Sequence, residues 1–222
     1  MAPGKPIAFR LTCASILNQL EVPFEHEVLE TAPRARTGRS APGRSDPYTC
    51  YLAASVRLAR SRDLDAIEKI ENDADRLLIS KLKPDDWAAA PTGAARASEP
   101  GFILVVELDE GHVAGFVHVL EVDGICHLEQ LSVAPGDARK GWGRALVEAA
   151  KIQAQKRGYH RISLRTYADI PWNAPFYASA GFVEEKPATQ FHRSLVGIEG
   201  ELGLDRYGRR VQMVAHVEAP GP

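Results

Sequence analysis

The chain has 222 residues, which at about 150 residues per domain allows one or two domains. Hydrophobic residues make up 45% and charged residues 25% of the chain, a balance that excludes a wholly disordered, collagen-like or coiled-coil protein. The 27 Lys and Arg nearly balance the 29 Asp and Glu, so the net charge does not favour a nucleic-acid-binding protein. Three scattered cysteines, Cys13, Cys50 and Cys126, are too few for a disulfide framework or a zinc site, and they fit a reducing compartment.

Residues 1–54 are predicted to be an N-terminal extension, because regular patterning begins only near Ser55. Within it, residues 31–48 hold four Arg, three Pro and two Gly and little that a core could bury, which predicts a linker or a disordered segment. The basic residues leave open a contact with nucleic acid or a membrane surface, but a solvated tail is the simpler interpretation. No stretch reaches the roughly 20 apolar residues that span a bilayer, and residues 7–24 make a poor secretion signal. We therefore expect a cytoplasmic protein without membrane contact.

The first elements predicted after the extension are a strand and a helix. Val56–Ala59 is typical of a short strand. Apolar residues at helical spacing over 64–77 predict a helix that Ser61 or Asp63 caps. Residues 88–100 are rich in Ala, Pro, Gly and Ser, which predicts a loop.

Three strands are predicted next, at Phe102–Leu108, Val113–Val122 and Ile125–Val133. The first is almost continuously apolar, which is typical of a strand buried on both faces. Asp123-Gly124 is a strong hairpin signal, because both residues tolerate positive φ. The three strands therefore predict an antiparallel meander.

After a polar loop at residues 135–143, helices and strands are predicted to alternate. The predicted elements are a helix over Arg144–Arg157, a strand over Arg161–Thr166, a short helix over Asn173–Ala180, a strand that begins at Phe182 and a last strand over Val211–Val217. The order β-α-βββ-α-β-α-β-β predicts a mixed α/β domain.

The stretch LSVAPGDARKGWGRAL, residues 131–146, carries the clearest chemical signal. A strand ends at Val133, and a basic loop with two glycines leads into a helix. Glycine lets the backbone approach a ligand closely, and a helix start presents unpaired N–H groups to an anion. This pattern favours a phosphate or pyrophosphate site, although on the glycines alone an ordinary strand-to-helix turn is equally compatible. The loop is neither a G-x-G-x-x-G dinucleotide motif nor a P-loop.

Two motifs occur in sequence along the chain. The first consists of Val133-Ala134-Pro135 followed by Arg139-Lys140-Gly141-Trp142-Gly143-Arg144. The second has Asn173 four residues before Tyr177, followed by Gly181-Phe182. Together they resemble the GNAT superfamily of acyl-CoA-dependent N-acetyltransferases. The family usually carries Gln or Arg three residues before the first glycine, where this chain has Ala138. The resemblance spans residues 56–217 and implies the family's mixed, mostly antiparallel central sheet with helices on both faces, within a GNAT-like domain at 55–222.

The resemblance implies that acetyl-CoA is the cosubstrate and lies in a gap between the strand ending at Val133 and the strand at Ile162–Thr166. Asn173 would hold the pantetheine arm or cap the helix that follows, and both roles stay open. No metal is implied, because the thioester is already activated. Leu131, Ser132 and Val133 would pair with pantetheine through their backbone, and the pyrophosphate would lie on Arg139, Lys140, Gly141, Trp142, Gly143 and Arg144.

For catalysis, the resemblance implies that Tyr177 places its hydroxyl near the thioester sulfur, where it protonates or orients the departing thiolate. An amine must lose its proton before it attacks, so a general base would help. Glu129 is the first candidate and His127 the second, because strand alternation puts both on one face unless a bulge intervenes. Each candidate also has a structural alternative to its catalytic role. Tyr177 could be a core aromatic, Glu129 an ion-paired strand residue and His127 a packing residue.

The resulting hypothesis is direct acetyl transfer, in a ternary complex, to a primary amine of a small molecule or peptide. Cys126 is expected to face away from His127, so no acyl-enzyme is expected. The first helix carries Glu68, Glu71, Asp73 and Asp75, which would suit a cationic acceptor or form a solvated face. A non-catalytic acyl-CoA-binding sensor or scaffold is the alternative, and a nucleic-acid-associated factor acting through the Arg-rich linker is a third reading. Dimers are common in the family, so a homodimer is included among the expected partners.

Overall fold

A computed structural model describes residues 54–85 and 87–217. The predictions on the linker at 31–48, on residues 7–24 and on Cys13 and Cys50 lie outside these residues. Among the described residues, no helix is both long and apolar enough to cross a membrane.

The described residues contain seven strands and five α-helices, and their order is that of a mixed α/β domain. The strands are β1 (Ser55–Leu58), β2 (Gly101–Glu107), β3 (Val113–Val122), β4 (Ile125–Val133), β5 (Arg161–Tyr167), β6 (Val183–Glu184) and β7 (Arg210–His216). The α-helices are α1 (Leu64–Leu82), α2 (Gly93–Ala97), α3 (Trp142–Lys156), α4 (Ala174–Ser179) and α5 (Gln190–Glu201).

The strands form one sheet in the order β1-β2-β3-β4-β5-β7-β6. Every neighbouring pair is antiparallel except β4 and β5, which run parallel. The parallel pairing covers only His127 opposite Ser163 and Leu128 opposite Leu164. The sheet is therefore mixed and mostly antiparallel, which confirms the fold class expected from the sequence.

Helices cover both faces of the sheet. On one face, Leu146 of α3 and Tyr177 of α4 belong to the same buried cluster as Leu128 and Leu164. On the other face, α1 packs through Ile67, in a cluster with strands β2 and β3. Helix α5 packs on that second face too, in a cluster with the far end of β3. Both layers meet the sheet at the point where β4 and β5 separate, so they surround that opening.

Two helices depart from the sequence prediction. The predicted loop at 88–100 contains the short helix α2, whose N-terminus is capped where Thr92 Oγ1 accepts from the backbone N–H of Ala95 at 3.1 Å. Helix α5 is not predicted by the sequence at all, and the strand that begins after Phe182 is only two residues long. A Thr189 cap and buried Phe191, Leu195 and Ile198 at helical spacing are the signals for α5.

Candidate active site

A gap in the sheet forms the centre of the candidate site. Strands β4 and β5 diverge beyond Leu128 and Leu164, and a cavity of about 680 Å³ occupies the opening. Residues 131–133 line it from β4, and residues 165–167 line it from β5. Because the parallel ladder has ended there, backbone N–H and C=O groups on this edge of β4 are available to a ligand.

The glycine-containing loop brings a helix start to the mouth of the cavity. Gly141 is the N-cap of α3 with φ of 89°, a conformation that favours glycine, and no side chain caps the helix. The first N–H groups of α3 therefore have no partner within the helix. A Cβ added at Gly141 would meet no atom within 4 Å, and Gly141, Trp142 and Gly143 all line the cavity. This arrangement fits an anion at the helix start.

The basic side chains of the loop point in different directions. Arg139 and Arg144 line the cavity, and Arg144 lies beside Ser179. Lys140 does not line the cavity: its Nζ donates to Asp137 Oδ1 at 2.8 Å, and that hydrogen bond holds the pKa of Asp137 below its usual value. Lys140 is therefore tied to its own loop, whereas Arg139 and Arg144 border the cavity, with Arg144 also 3.6 Å from Glu148 Oε1 in an exposed pair.

Helix α4 presents the two polar residues of the second motif to the cavity. Asn173 occupies the N-cap position, but its side chain accepts no bond from the helix. The side chain therefore does not cap the helix, and it lines the cavity instead. Tyr177 is 9% exposed, packs edge-on against Phe176 and Phe182, and lines the cavity. Burial raises the pKa of Tyr177, so the phenol stays protonated and can donate a hydrogen bond.

Glu129 lies at a bulge in β4, where His118 pairs with Gln130 and Val119 with Leu128, so Glu129 itself has no partner across the strand. The bulge aims Glu129 at Arg96 of α2, whose Nη1 donates to Glu129 Oε2 at 2.7 Å. Burial alone would raise the pKa of Glu129, but the charge of Arg96 and the contact with His118 outweigh it and hold the pKa at about 2. Glu129 is thus an ionised carboxylate with a filled hydrogen-bonding site, which makes it a poor proton acceptor.

His127 begins a chain of hydrogen bonds that leads out of the cavity. Its Nδ1 is 2.9 Å from Ser163 Oγ, which is 3.0 Å from His192 Nε2. His192 Nδ1 is in turn 2.9 Å from Thr189 Oγ1, at the half-buried start of α5. Burial lowers the pKa of His127 to about 3, with a smaller contribution from His192, so the imidazole is neutral at pH 7. The Nε2 of His127 has no hydrogen bond to any described residue, and His127 lines the cavity.

A sequence model of the Acetyltransferase (GNAT) family matches residues 64–182, more than half of the chain. The chain belongs to this family. The match covers α1, the meander, the loop at 139–144 and the Asn173–Phe182 segment. The resemblance seen in the sequence is therefore confirmed, and this GNAT protein is an acyltransferase.

Three solved acetyltransferases show the same GNAT fold. Ribosomal-protein-S18-alanine N-acetyltransferase from Escherichia coli is 21% identical, with a TM-score of 0.54 over 76% of this chain and 96% of its own. N-acetylglutamate synthase from Neisseria gonorrhoeae, solved with coenzyme A and N-acetyl-glutamate, is 16% identical, with a TM-score of 0.55 over 74% of this chain and 35% of its own. Spermidine N-acetyltransferase from Vibrio cholerae, solved with CoA and spermine, is 20% identical, with a TM-score of 0.52 over 74% of this chain and 95% of its own. The bound CoA of two relatives supports an acyl-CoA cosubstrate for the GNAT fold found here.

Sequence reasoning missed three charged residues of this GNAT cavity. Glu199 of α5 accepts from Arg165 Nη2 and from Arg210 Nη2, each at 2.6 Å. All three line the cavity. Arg210 also lies over the ring of Tyr167, 4.6 Å from its centre. Glu199 was missed because α5 was not predicted; a glutamate beside the apolar stripe of that helix is the signal that points to it.

The acidic residues expected to share one face of α1 have different environments in the structure. Glu71 is fully buried, and Arg96 donates to its two carboxylate oxygens at 2.7 and 3.0 Å, so it is neither solvated nor open to an acceptor. Asp75 lines the cavity and accepts from Trp87 Nε1 at 3.0 Å. Of the residues expected on that face, Asp75 is the one that borders the cavity.

Cys126 lies on the opposite face of the sheet from His127, as expected. It is buried in the cluster that contains Leu128, and burial raises its pKa to about 12. His127 instead packs edge-on against Phe191 of α5. A protonated thiol behind the sheet has no access to a thioester in the cavity. Within residues 54–85 and 87–217, no cluster of His, Cys, Asp and Glu could hold a metal ion.

Proposed function

We propose that this GNAT enzyme transfers an acetyl group from acetyl-CoA to a primary amine of a small molecule or peptide, by direct attack in a ternary complex. One observation carries the proposal: a single cavity contacts both the loop at 139–144 and, beyond the β4–β5 gap, Glu129 and His127. Donor thioester and acceptor amine can meet there without a covalent enzyme intermediate. The amines of the solved relatives, among them spermidine and an alanine of a ribosomal protein, support an amine acceptor in general.

The donor side of the cavity suits the pyrophosphate and pantetheine of CoA. The free N–H groups of α3, with Arg139 and Arg144, supply donors and positive charge for the pyrophosphate. The open edge of residues 131–133 supplies backbone partners for pantetheine, with Asn173 beside it. Lys140 is hydrogen-bonded to Asp137, so it contributes to the donor side by stabilising the conformation of the loop.

Replacing Gly141 by valine tests this placement. We expect about tenfold weaker CoA binding, because valine at positive φ strains the loop and its side chain projects into the space that the pyrophosphate would occupy. Calorimetric titration with CoA measures the effect.

Gly136 provides the matched control, since a Cβ there also meets nothing within 4 Å and the residue does not line the cavity. Gly136→Val is expected to bind CoA like the parent. Equal CoA affinity of Gly141→Val and Gly136→Val contradicts a pyrophosphate on this loop.

Three residues have separate roles in the proposed reaction. Tyr177 donates a hydrogen bond to the sulfur as the carbon–sulfur bond breaks, either protonating the thiolate or stabilising it. Glu129 remains ionised and attracts the ammonium form of the acceptor. His127 accepts the proton of the attacking amine at Nε2 as its Nδ1 proton leaves to Ser163, so it does not become the imidazolium that its low pKa disfavours. Glu129 has no such outlet, and its Oε2 is already bonded to Arg96.

The hydrogen-bonded chain behind His127 gives that proton a way out. As Nε2 gains a proton, the Nδ1 proton of His127 passes to Ser163 Oγ, and the Ser163 proton passes to His192 Nε2. The Nδ1 proton of His192 then leaves through Thr189 to solvent. Each residue gains and loses one proton, so no charge stays on the relay. Between turnovers the Nε2 proton of His127 returns to the cavity side, to water or to Tyr177 once that residue has protonated the thiolate, while a solvent proton re-enters through Thr189 and restores the tautomers.

Replacing Ser163 by alanine breaks this chain. We expect kcat to fall about tenfold with little change in the KM for acetyl-CoA, because proton removal is impaired and CoA binding is not. In the parent enzyme, kcat is expected to show no step near pH 6.5, because the pKa of His127 is about 3 and it stays neutral above that pH.

Ser194→Ala is the control, since Ser194 Oγ bonds only the carbonyl of Phe191 within α5. An unchanged kcat in Ser163→Ala, or a step near pH 6.5 in the parent, contradicts proton removal through His127.

The function itself is tested by CoA release from acetyl-CoA with a panel of primary amines. The expected result is amine-dependent release of one CoA per acetylated product, the product being identified by mass spectrometry. CoA binding without turnover on any amine would instead support the non-catalytic sensor.

A further inference from the structure

One group of side chains on the acceptor side of the cavity, Arg165, Arg210 and Glu199, holds more positive than negative charge. Arg165 and Arg210 share the single carboxylate of Glu199, and the three side chains are 6%, 15% and 4% exposed. Neither arginine forms another ion pair within the described residues. Buried charges are stable when they are paired, so this group lacks one negative charge.

The two guanidinium groups also have unused hydrogen-bond donors. A guanidinium carries five N–H groups, and each arginine here gives one bond to Glu199. The Nε of Arg165 and the Nε of Arg210 are buried and have no acceptor among the described residues. Because both side chains line the cavity, a second oxyanion is the ligand that their geometry and charge suit.

The arginines are held in place before any ligand binds. Arg210 lies over the ring of Tyr167, and the hydroxyl of Tyr167 donates to the carbonyl of Leu204 at 3.2 Å. Arg165 extends from β5 and is bonded to Glu199 from the neighbouring helix. Binding an anion therefore costs little ordering of side chains, which favours affinity.

His127 marks where the amine and this anion site meet. His127, Glu129 and the pair Arg165 and Arg210 all line this one cavity, so the negative Glu129 and the arginine pair border the same space as the imidazole. An acceptor whose amine approaches His127 and Glu129 would place a nearby anionic group against the arginines.

We infer that the acceptor is an amine that carries a carboxylate a few bonds from its nitrogen, and that Arg165 and Arg210 bind that carboxylate. This inference rests on the proposed function and narrows its substrate class. The carboxylate comes either from a free amino acid or from a short peptide, and the two sources share the chemistry that the arginines recognise.

Matched acceptor pairs test the inference on the parent enzyme. Each pair differs by one carboxylate: phenylalanine against phenethylamine, lysine against cadaverine, and a dipeptide against its C-terminal amide. CoA release is measured with all six and with spermidine. We expect kcat/KM at least tenfold higher for the carboxylated member of at least one pair. The amino-acid pairs and the dipeptide pair distinguish the two sources.

Arg210→Gln isolates the contribution of one guanidinium. We expect KM for the preferred carboxylated amine to rise about tenfold, with a smaller change in kcat and none for its uncarboxylated partner. Arg209→Gln is the control, since Arg209 is exposed, pairs with Glu184 and does not line the cavity. Thermal melting confirms that both variants fold.

The outcomes separate this inference from the proposed function. Turnover that is equal or better without the carboxylate overturns the inference alone. No turnover with any amine overturns the proposed function. In that case the inference depends on calorimetric binding of the same pairs with CoA present, and equal binding within every pair overturns it too.

Discussion

Arg96→Met is expected to lower the free energy of unfolding by about 3–5 kcal/mol, because it leaves buried carboxylates without their counter-charge. Arg96 is 2% exposed and bonds both Glu71 and Glu129. Methionine fills part of the volume but donates no hydrogen bond. Urea unfolding at pH 7 measures the change.

The pH dependence of this loss has a defined sign. In the parent, the low pKa of Glu129 contributes stability above its usual pKa, and this stability is lost as the pH falls towards 2. Without Arg96, burial raises the pKa of Glu129 above its value in the unfolded chain, so between these two pKa values the folded variant keeps a proton that the unfolded chain releases. The deficit is therefore largest at neutral pH and shrinks as the pH falls to 5. Arg209→Met, at the exposed pair with Glu184, should change stability little. A similar effect of both variants argues against a special role for the Arg96 cluster.

Tyr177→Phe is expected to lower kcat about 100-fold, the size of effect seen when one positioned donor to a developing anion is removed. Phenylalanine keeps the edge-on contacts with Phe176 and Phe182, so the KM for acetyl-CoA should change little. Because burial raises the pKa of Tyr177, no loss of the parent's kcat between pH 8 and 10 should come from this phenol. Steady-state CoA release across that pH range measures both effects.

Tyr159→Phe is the matched control, since Tyr159 is partly buried against the same cluster but does not line the cavity. Full activity of Tyr177→Phe would leave Tyr177 as a packing residue and move the leaving-group chemistry elsewhere. Loss of CoA binding together with activity would assign the tyrosine to the donor pocket instead.

The acyl-CoA side of the molecule could be predicted largely from sequence. The strand ending at Val133, the loop with Gly141 and the start of α3 are consecutive in the chain, so their relation is set by local backbone geometry. Asn173 and Tyr177 lie one turn apart at the start of one helix, and both line the cavity as expected. Lys140 is the exception: it does not line the cavity, because it is hydrogen-bonded to Asp137 of the adjoining turn.

The acceptor side required the tertiary structure. The pairing of Glu129 with Arg96 joins residues 33 positions apart and depends on a bulge that alternation in the sequence does not reveal. The relay from His127 crosses from β4 to β5 and then to α5, a helix that the sequence does not predict.

The sequence by itself determined the antiparallel meander and the glycine loop at the helix start, because these follow from periodicity and from residues adjacent in the chain. The family, and with it the mixed and mostly antiparallel sheet, followed from the resemblance carried by two local motifs. Only the tertiary structure decided that Glu129 is tied to Arg96, that His127 leads to Thr189, and that Arg165 and Arg210 share Glu199. These contacts depend on which side chains meet across the sheet. Burial then sets their protonation and charge balance, and no local pattern encodes either.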